Sequence, residues 1–296
     1  MSRLIVNADD FGLTSGVNRA IAELHAAGLV TSSSLMARAG ATDEAIAMAL
    51  VTPSLGVGCH VVLVDGAPVL APERIPSLVD TRTGQFWPTL SAFLLRLLTG
   101  RIRDVEIEAE AEAQMNLLQS RGLPLTHFDA HKHTHMFPAV LRPLLRAARA
   151  AGLRAVRHPF EPEWALRASI GAPLARVVEL TVLRRLAPRS RRILEREGFL
   201  TTDGTIAMAS TGSLSADGLR ALIEKIPAGD WELVTHPGYH DADLDRVRTR
   251  LRASREAERQ ALRAVGEVPG IELISFAALT REAKAFGRDG NRLRQK

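Results

Sequence analysis

Short apolar runs alternate with stretches of helical periodicity along nearly the whole chain, and this alternation limits the fold more than any other feature. RLIVNADD (3–10) reads as a buried strand, with GVNRAIAELHAAG (16–28) as the helix behind it. VTSSSLMA (30–37), LGVGCHVVLV (55–64), LTHFDAHKH (125–133), RAVRHP (154–159), TIAMAS (205–210), WELVTHPG (231–238) and IELISF (271–276) supply further strands. Between them lie helical ATDEAIAMAL (41–50), VEIEAEAEAQMNLLQSRG (105–122) with Gly122 as its stop, AVLRPLLRAARAAG (139–152), SADGLRALIEKIP (215–227) and DRVRTRLRASREAERQALRAV (245–265). Such alternation implies a parallel sheet with helices outside it. The expectation is an α/β fold, a distorted or incomplete (β/α) barrel with about seven parallel strands. No repeat or linker divides the chain, so residues 1–296 read as one domain, with an irregular insertion near 160–202 and a polar tail from about Arg281 that frays.

Composition narrows the class. Hydrophobic content of 46% describes a globular chain. The formal charge of +5 comes from arginines scattered through helical segments, with few aromatics among them to stack bases, so no nucleic-acid partner is expected. The only cysteine, Cys59, excludes an intrachain disulfide and a Cys-based zinc site. It neighbours His60 on a strand, so it faces away from that side chain as buried filler. The opening MSRLIVNADDFG lacks a signal-peptide core, and the apolar stretch at 90–98 is too short to span a bilayer. A cytoplasmic location is expected, at the inner face of the membrane if the substrate is lipid-linked.

Chemistry in parallel α/β folds collects where strands end. The first strand ends in Asn7, Asp9 and Asp10; the third carries His60; RAVRHP ends in Arg157 and His158; WELVTHPG ends around His236. The middle strand places His127, Asp129, His131, His133 and His135 at every second position, four of the nine histidines within nine residues. While the chain stays extended, these side chains share one face. Imidazoles and carboxylates inside a barrel imply that they bind something. Together they suit one divalent cation, with Asp9 or Asp10, His60 and one histidine of the comb as ligands and an open position for water. The unused acid of the Asp9–Asp10 pair is then the candidate general base, and His236 the candidate acid. Two imidazoles and a carboxylate favour zinc or another first-row ion, with magnesium the alternative. Either Thr14 or Ser15 suits the N-cap of the first helix.

NADDFG, GCH followed by VVLVDGAP, THFDAHKHTHMFP and THPG occur in this order, and with them the sequence resembles the YdjC-like carbohydrate deacetylases. DAHKHTH and AVRHPFEP look most similar to the branch associated with hopanoid biosynthesis. The resemblance implies a distorted (β/α) barrel, a divalent metal (magnesium in common descriptions of the family) and removal of acetyl groups from N-acetylated sugars. It implies Asp10, His60 and His131 as metal ligands, Asp9 as general base and His236 as general acid. Asn7, Asp129, His133, His135 and Arg157 are left as substrate-side or supporting residues. Where relatives read DSHHH or DSHxH, this chain has Ala130 and Lys132, a change at the sugar contacts.

The substrate expected is therefore a small-molecule or lipid-linked N-acetylated amino sugar, with a hopanoid-borne N-acetylglucosaminyl group or a soluble chitooligosaccharide as the alternatives. Another barrel hydrolase of amidohydrolase type would carry a His-x-His pair at the first strand end, where NADD stands instead. LARVVELTVLRRLAPRSRRIL (174–194) combines helical apolar spacing with Arg184, Arg185, Arg189, Arg191 and Arg192, and would suit peripheral membrane contact. A homodimer is left open. Trp87, Trp164 and Trp231 are candidates to stack on a sugar, Trp164 foremost, with core packing as their default, and His240 reads as a loop residue.

Overall fold

The computed structural model describes residues 1–266 and 268–285, with side chains as far as Arg281. In chain order the elements are β1 (Ser2–Phe11), α1 (Ser15–Ala26), β2 (Ser32–Leu35), α2 (Thr42–Leu50), β3 (Gly56–Val61), the small hairpin β4 (Val79–Asp80) and β5 (Gln85–Phe86), α3 (Leu90–Leu98), α4 (Asp104–Ser120), β6 (Phe128–Ala130) and α5 (Pro138–Ala150). After them come α6 (Glu163–Ala168), α7 (Leu174–Leu183), α8 (Ala187–Glu197), β7 (Gly204–Ile206), α9 (Ala216–Ile223), β8 (Gly229–Thr235), α10 (Ala242–Arg246), α11 (Arg252–Val265), β9 (Ile271–Ile274) and α12 (Phe276–Ala285).

β1 is the hub of a curled, parallel sheet ordered β6-β3-β2-β1-β8-β7. One edge of β1 pairs with β8 over Ser2 to Ala8. Its other edge is shared, with β9 on Ser2 to Ile5 and β2 from Asn7 onward. Being covered on both faces, β1 is buried continuously from Leu4 to Phe11 and opens on the unbroken apolar run Leu4, Ile5 and Val6. Isolated parallel bridges, Phe128 to Val156 and Ala155 to Leu200, continue the curl beyond β6. The expected incomplete barrel is thus a curled parallel sheet, open where its last strands are shortest.

Local chemistry explains the elements. Thr14, of the two cap candidates, takes the N-cap of α1 and accepts from Val17 N. α4 and α5 pack side by side. The buried polar face of α4 pins the loop after β3: Glu110 accepts from the Val69 and Leu70 amides, while Gln114 bonds both the N–H and the C=O of Val62.

Four expectations need correction. The histidine comb is not extended: β6 ends at Ala130, and residues 131–136 form a tight 3₁₀ turn in which Lys132 and His133 have φ of 55° and 52°. Left-handed residues reverse the chain there, so the period-two alignment is broken after His131. RAVRHP is not a strand but two bridging residues, because its neighbours lack a continuous partner edge. The segment near 160–202 is helical rather than irregular, built of α6, α7, a short 3₁₀ turn and α8. The long helix expected from residue 245 is split into α10 and α11, with 247–251 non-helical between them. The end of the polar tail, from residue 286, lies outside the described residues.

Candidate metal centre and active cleft

The two consecutive acids at the end of β1 pose a geometric problem, since neighbours on a regular strand point to opposite faces. The register between β1 and β2 shifts between Ala8 and Phe11, and Asp10 has φ 65°. This bulge turns both Asp9 and Asp10 to the same site. β3 delivers His60 beside them, and the turn after β6 delivers His131.

The Asp10 Oδ1, His60 Nε2 and His131 Nδ1 atoms form a close triangle. His60 Nε2 lies 3.2 Å from His131 Nδ1 and 3.5 Å from Asp10 Oδ1, and His131 Nδ1 lies 3.3 Å from the same oxygen. A cation bonded to three such donors holds them roughly 3.0–3.4 Å apart. Asp10 Oδ1 is buried with no hydrogen-bond partner, as an oxygen reserved for a ligand would be. These residues fit a divalent metal.

The surroundings explain why this triangle, and not another, is the candidate. Asp9, His60 and Asp129 also lie within ligand distance of one another. In that set, however, Arg157 already holds both acids: Nη1 and Nη2 donate to Asp9 at 2.8 and 2.6 Å, and the guanidinium also pairs with Asp129 and, at 2.7 Å, with Glu232. A cation there would face a fully buried guanidinium. Asp129 Oδ1 instead takes the Nδ1 proton of His60 at 2.7 Å, which leaves Nε2 free for the triangle. Arg255 of α11 bonds the other oxygen of Asp10 at 2.5 Å. Despite the burial that opposes ionisation, Arg255 and then the two imidazoles hold the Asp10 carboxyl well below the usual carboxylate range. Burial acts the other way on His60, but Asp129, Asp9 and Asp10 overcome it and lift the imidazole to about 9. On His131, burial prevails and lowers it.

Asp9 sits beside the triangle. Its Oδ1 accepts from Arg157 and from Asn7 Nδ2 at 2.8 Å, while Oδ2 accepts from Arg157 alone and lies 3.8 Å from His236 Nε2. Glu258 of α11 accepts the His236 backbone N–H at 2.6 Å, and its carboxylate lies 3.8 Å from the imidazole Nδ1. Burial works against the charged imidazole; Glu258, Asp9 and Asp10 outweigh it and raise His236. Gly238 of the THPG motif makes this arrangement possible: a Cβ there would lie 3.1 Å from Arg255 Cδ, in the path of the side chain that reaches Asp10.

Asp9, Asp10, His60, His131, His133 and His236 all line one cleft of about 1260 Å³. The remaining expected residues stand elsewhere. Asn7, Asp129 and Arg157 are fully buried behind the ligands. His135 is also fully buried and turned away by the 3₁₀ turn, so it does not line the cleft. His127 packs at 3.9 Å against Phe276, and Gly58 leaves room for its ring. Trp164 packs edge-to-face on Trp231 and Trp87 lies under Arg96, so none of the three tryptophans reaches the cleft. Cys59 is buried, and burial pushes its thiol up. His240 pairs with Asp245 on the exposed side.

The family profile of the YdjC-like proteins matches residues 3–265. The chain belongs to the YdjC-like protein family. Among relatives, a carbohydrate deacetylase of Thermoanaerobacter pseudethanolicus is 27% identical over 265 residues, covering 88% of this chain and 91% of that protein. A carbohydrate deacetylase of Mus musculus is 33% identical over 246 residues, covering 80% of this chain and 78% of that protein. Among solved structures, an Enterococcus faecalis V583 protein named for cellobiose-phosphate cleavage superposes with a TM-score of 0.73 at 25% identity, covering 94% of this chain and 98% of that one.

Sequence reasoning did not find Arg255, Glu258 or Glu232. Arg255 and Glu258 stand three apart in RASREAERQ, where nothing separates them from the solvent-facing charges around them. Glu232 lies inside β8, where burial lifts its carboxyl to about 7 against the pull of Arg157. A charged residue between the apolar Trp231 and Leu233 in a buried strand was the signal available.

Proposed function

We propose that the protein is a metal-dependent carbohydrate deacetylase that hydrolyses the acetamide of an N-acetylated amino sugar. The observation that carries this reading is the Asp10, His60 and His131 triangle, with its orphaned Asp10 oxygen, opening beside Asp9 and His236 in one cleft. The family and the names of its relatives support the reaction class.

Asp10, His60 and His131 would hold the ion, with Asp129 and Arg255 orienting two of them. When bound, the ion supplies a Lewis acid for the acetamide carbonyl and lowers the pKa of water. Asp9 is the general base. Its Oδ2, with one donor against two on Oδ1, has the capacity left to take a proton from the attacking water. His236, raised by its acidic neighbours, holds the proton that the leaving amine requires. Arg157 and Asn7 fix the Asp9 carboxylate so that its approach is not lost to rotation. His133, on the cleft wall, is a substrate-side residue.

We assign the chain to the hopanoid-associated branch on its DAHKHTH and AVRHPFEP segments, with an N-acetylglucosaminyl lipid as the finer substrate and a soluble chitooligosaccharide as its rival. Zinc or magnesium would serve. The test is acetate release from a panel of soluble and lipid-linked N-acetylglucosamine conjugates by protein stripped of metal and reloaded with each ion. Absence of acetate from every conjugate with every ion would sink the reading.

A further inference from the structure

An isolated exposed leucine is ordinary, but a gathering of exposed apolar side chains beside a cleft is not. Ten large hydrophobic side chains are exposed among the described residues, and six of them stand on two helical stretches: Leu95 and Leu98 on α3, and Ile170, Leu174, Val178 and Val182 leading into and along α7. Both stretches border the cleft described above, since Leu90 and Ser91 at the start of α3 and Arg176 of α7 line it. Leu174, Val178 and Val182 recur every four residues, so on α7 they form one outward stripe, with Leu174 at 77% exposure, and Ile170 stands exposed in the turn before it.

Charge completes the pattern. Further along the chain, Arg185, Arg189 and Arg192 are exposed, and no ion pair joins these three to a carboxylate among the described residues. On another part of the cleft wall, the non-helical stretch 247–251 adds exposed Arg248 and Arg250. We propose that this lip is a docking surface for an anionic lipid bilayer, which would set the mouth of the cleft at the headgroup layer. An apolar stripe entering the headgroup region beside arginines that meet anionic phosphates satisfies both features at once. A second copy of the chain satisfies only the first, because apposing two such lips brings arginine to arginine. The contact is peripheral, as no helix among the described residues is long and apolar enough to cross a membrane. The proposal goes beyond the deacetylase reading, since it concerns where the cleft is presented and not the reaction in it.

The experiment is co-sedimentation of the full chain with phosphatidylcholine vesicles, with and without phosphatidylglycerol, at low and high salt. Wild type is expected to pellet with the phosphatidylglycerol vesicles and to be released by salt. The triple variants Leu174→Glu/Val178→Glu/Val182→Glu and Arg185→Gln/Arg189→Gln/Arg192→Gln should each lower that partition about tenfold or more. Circular dichroism and unchanged acetate release from a soluble N-acetylglucosamine disaccharide would show that both variants fold. Failure of wild type to pellet, or equal pelleting by wild type and both folded variants, overturns the proposal. So does a wild-type dimer in light scattering that the glutamate variant dissociates, with no vesicle binding, because the stripe then belongs to a second copy. Vesicle binding without acetate release from any conjugate would remove the deacetylase reading alone and leave this surface standing.

Discussion

Asp129 accepts a hydrogen bond from His60 Nδ1 at 2.7 Å, and that single bond leaves Nε2 as the ring nitrogen turned toward Asp10 and His131. Removing the acceptor charge should free the ring to rotate. Asp129→Asn is expected to bind metal about 10- to 100-fold more weakly. Titration of the metal-free protein with zinc, followed by calorimetry, measures this. An unchanged affinity would mean that His60 is held by its packing instead.

For the metal site proposed above, the same bond makes binding pH-dependent. His60 is lifted to about 9 when no metal is present, so at neutral pH the ion must displace a proton. Affinity should therefore rise by about tenfold per pH unit up to about 9 and flatten above it. Calorimetry in buffers of different ionisation enthalpy should show about one proton released per ion at pH 7.

Asp9 is held by Arg157 and Asn7 and is not part of the triangle. Asp9→Asn should keep its metal while kcat falls about 100-fold or more. Loss of metal in this variant would exchange the roles assigned to the two aspartates. The alkaline limb of the kcat/KM profile should follow deprotonation of His236, whose charged form its acidic neighbours favour, and His236→Gln should abolish that limb.

His158 is buried, and burial pushes its imidazole down to about 3. The folded state thus holds it neutral while the unfolded chain protonates it near its ordinary value. Its contribution is fully present above about pH 6.5 and is lost as the pH falls toward 3, at about 1.4 kcal/mol per pH unit. Urea unfolding at a series of pH values gives a slope summed over all such groups, the buried His127 and His135 included, and His158→Phe should make it shallower. An identical slope in the variant would assign acid sensitivity to other groups.

The layering and the identity of most of the chemical groups were legible in the order of residues alone. Apolar runs alternating with helical periods leave few alternatives to a parallel sheet wrapped in helices, and acids and histidines at strand ends are too costly to bury without a purpose. Short-range pattern could carry that much because it depends only on the period of each element. Which of these groups come together was set by the packing of distant segments. A bulge and one left-handed residue brought both Asp9 and Asp10 to the same site, against the alternation their spacing implies. A reversal at Lys132 and His133 kept His131 in the cleft and sent His135 into the core. Arg255 and Glu258 gained their positions because α11 packs across the end of β8, where Gly238 lets Arg255 pass. Each of these outcomes depends on contacts between residues far apart in the chain, and a local period carries no record of them.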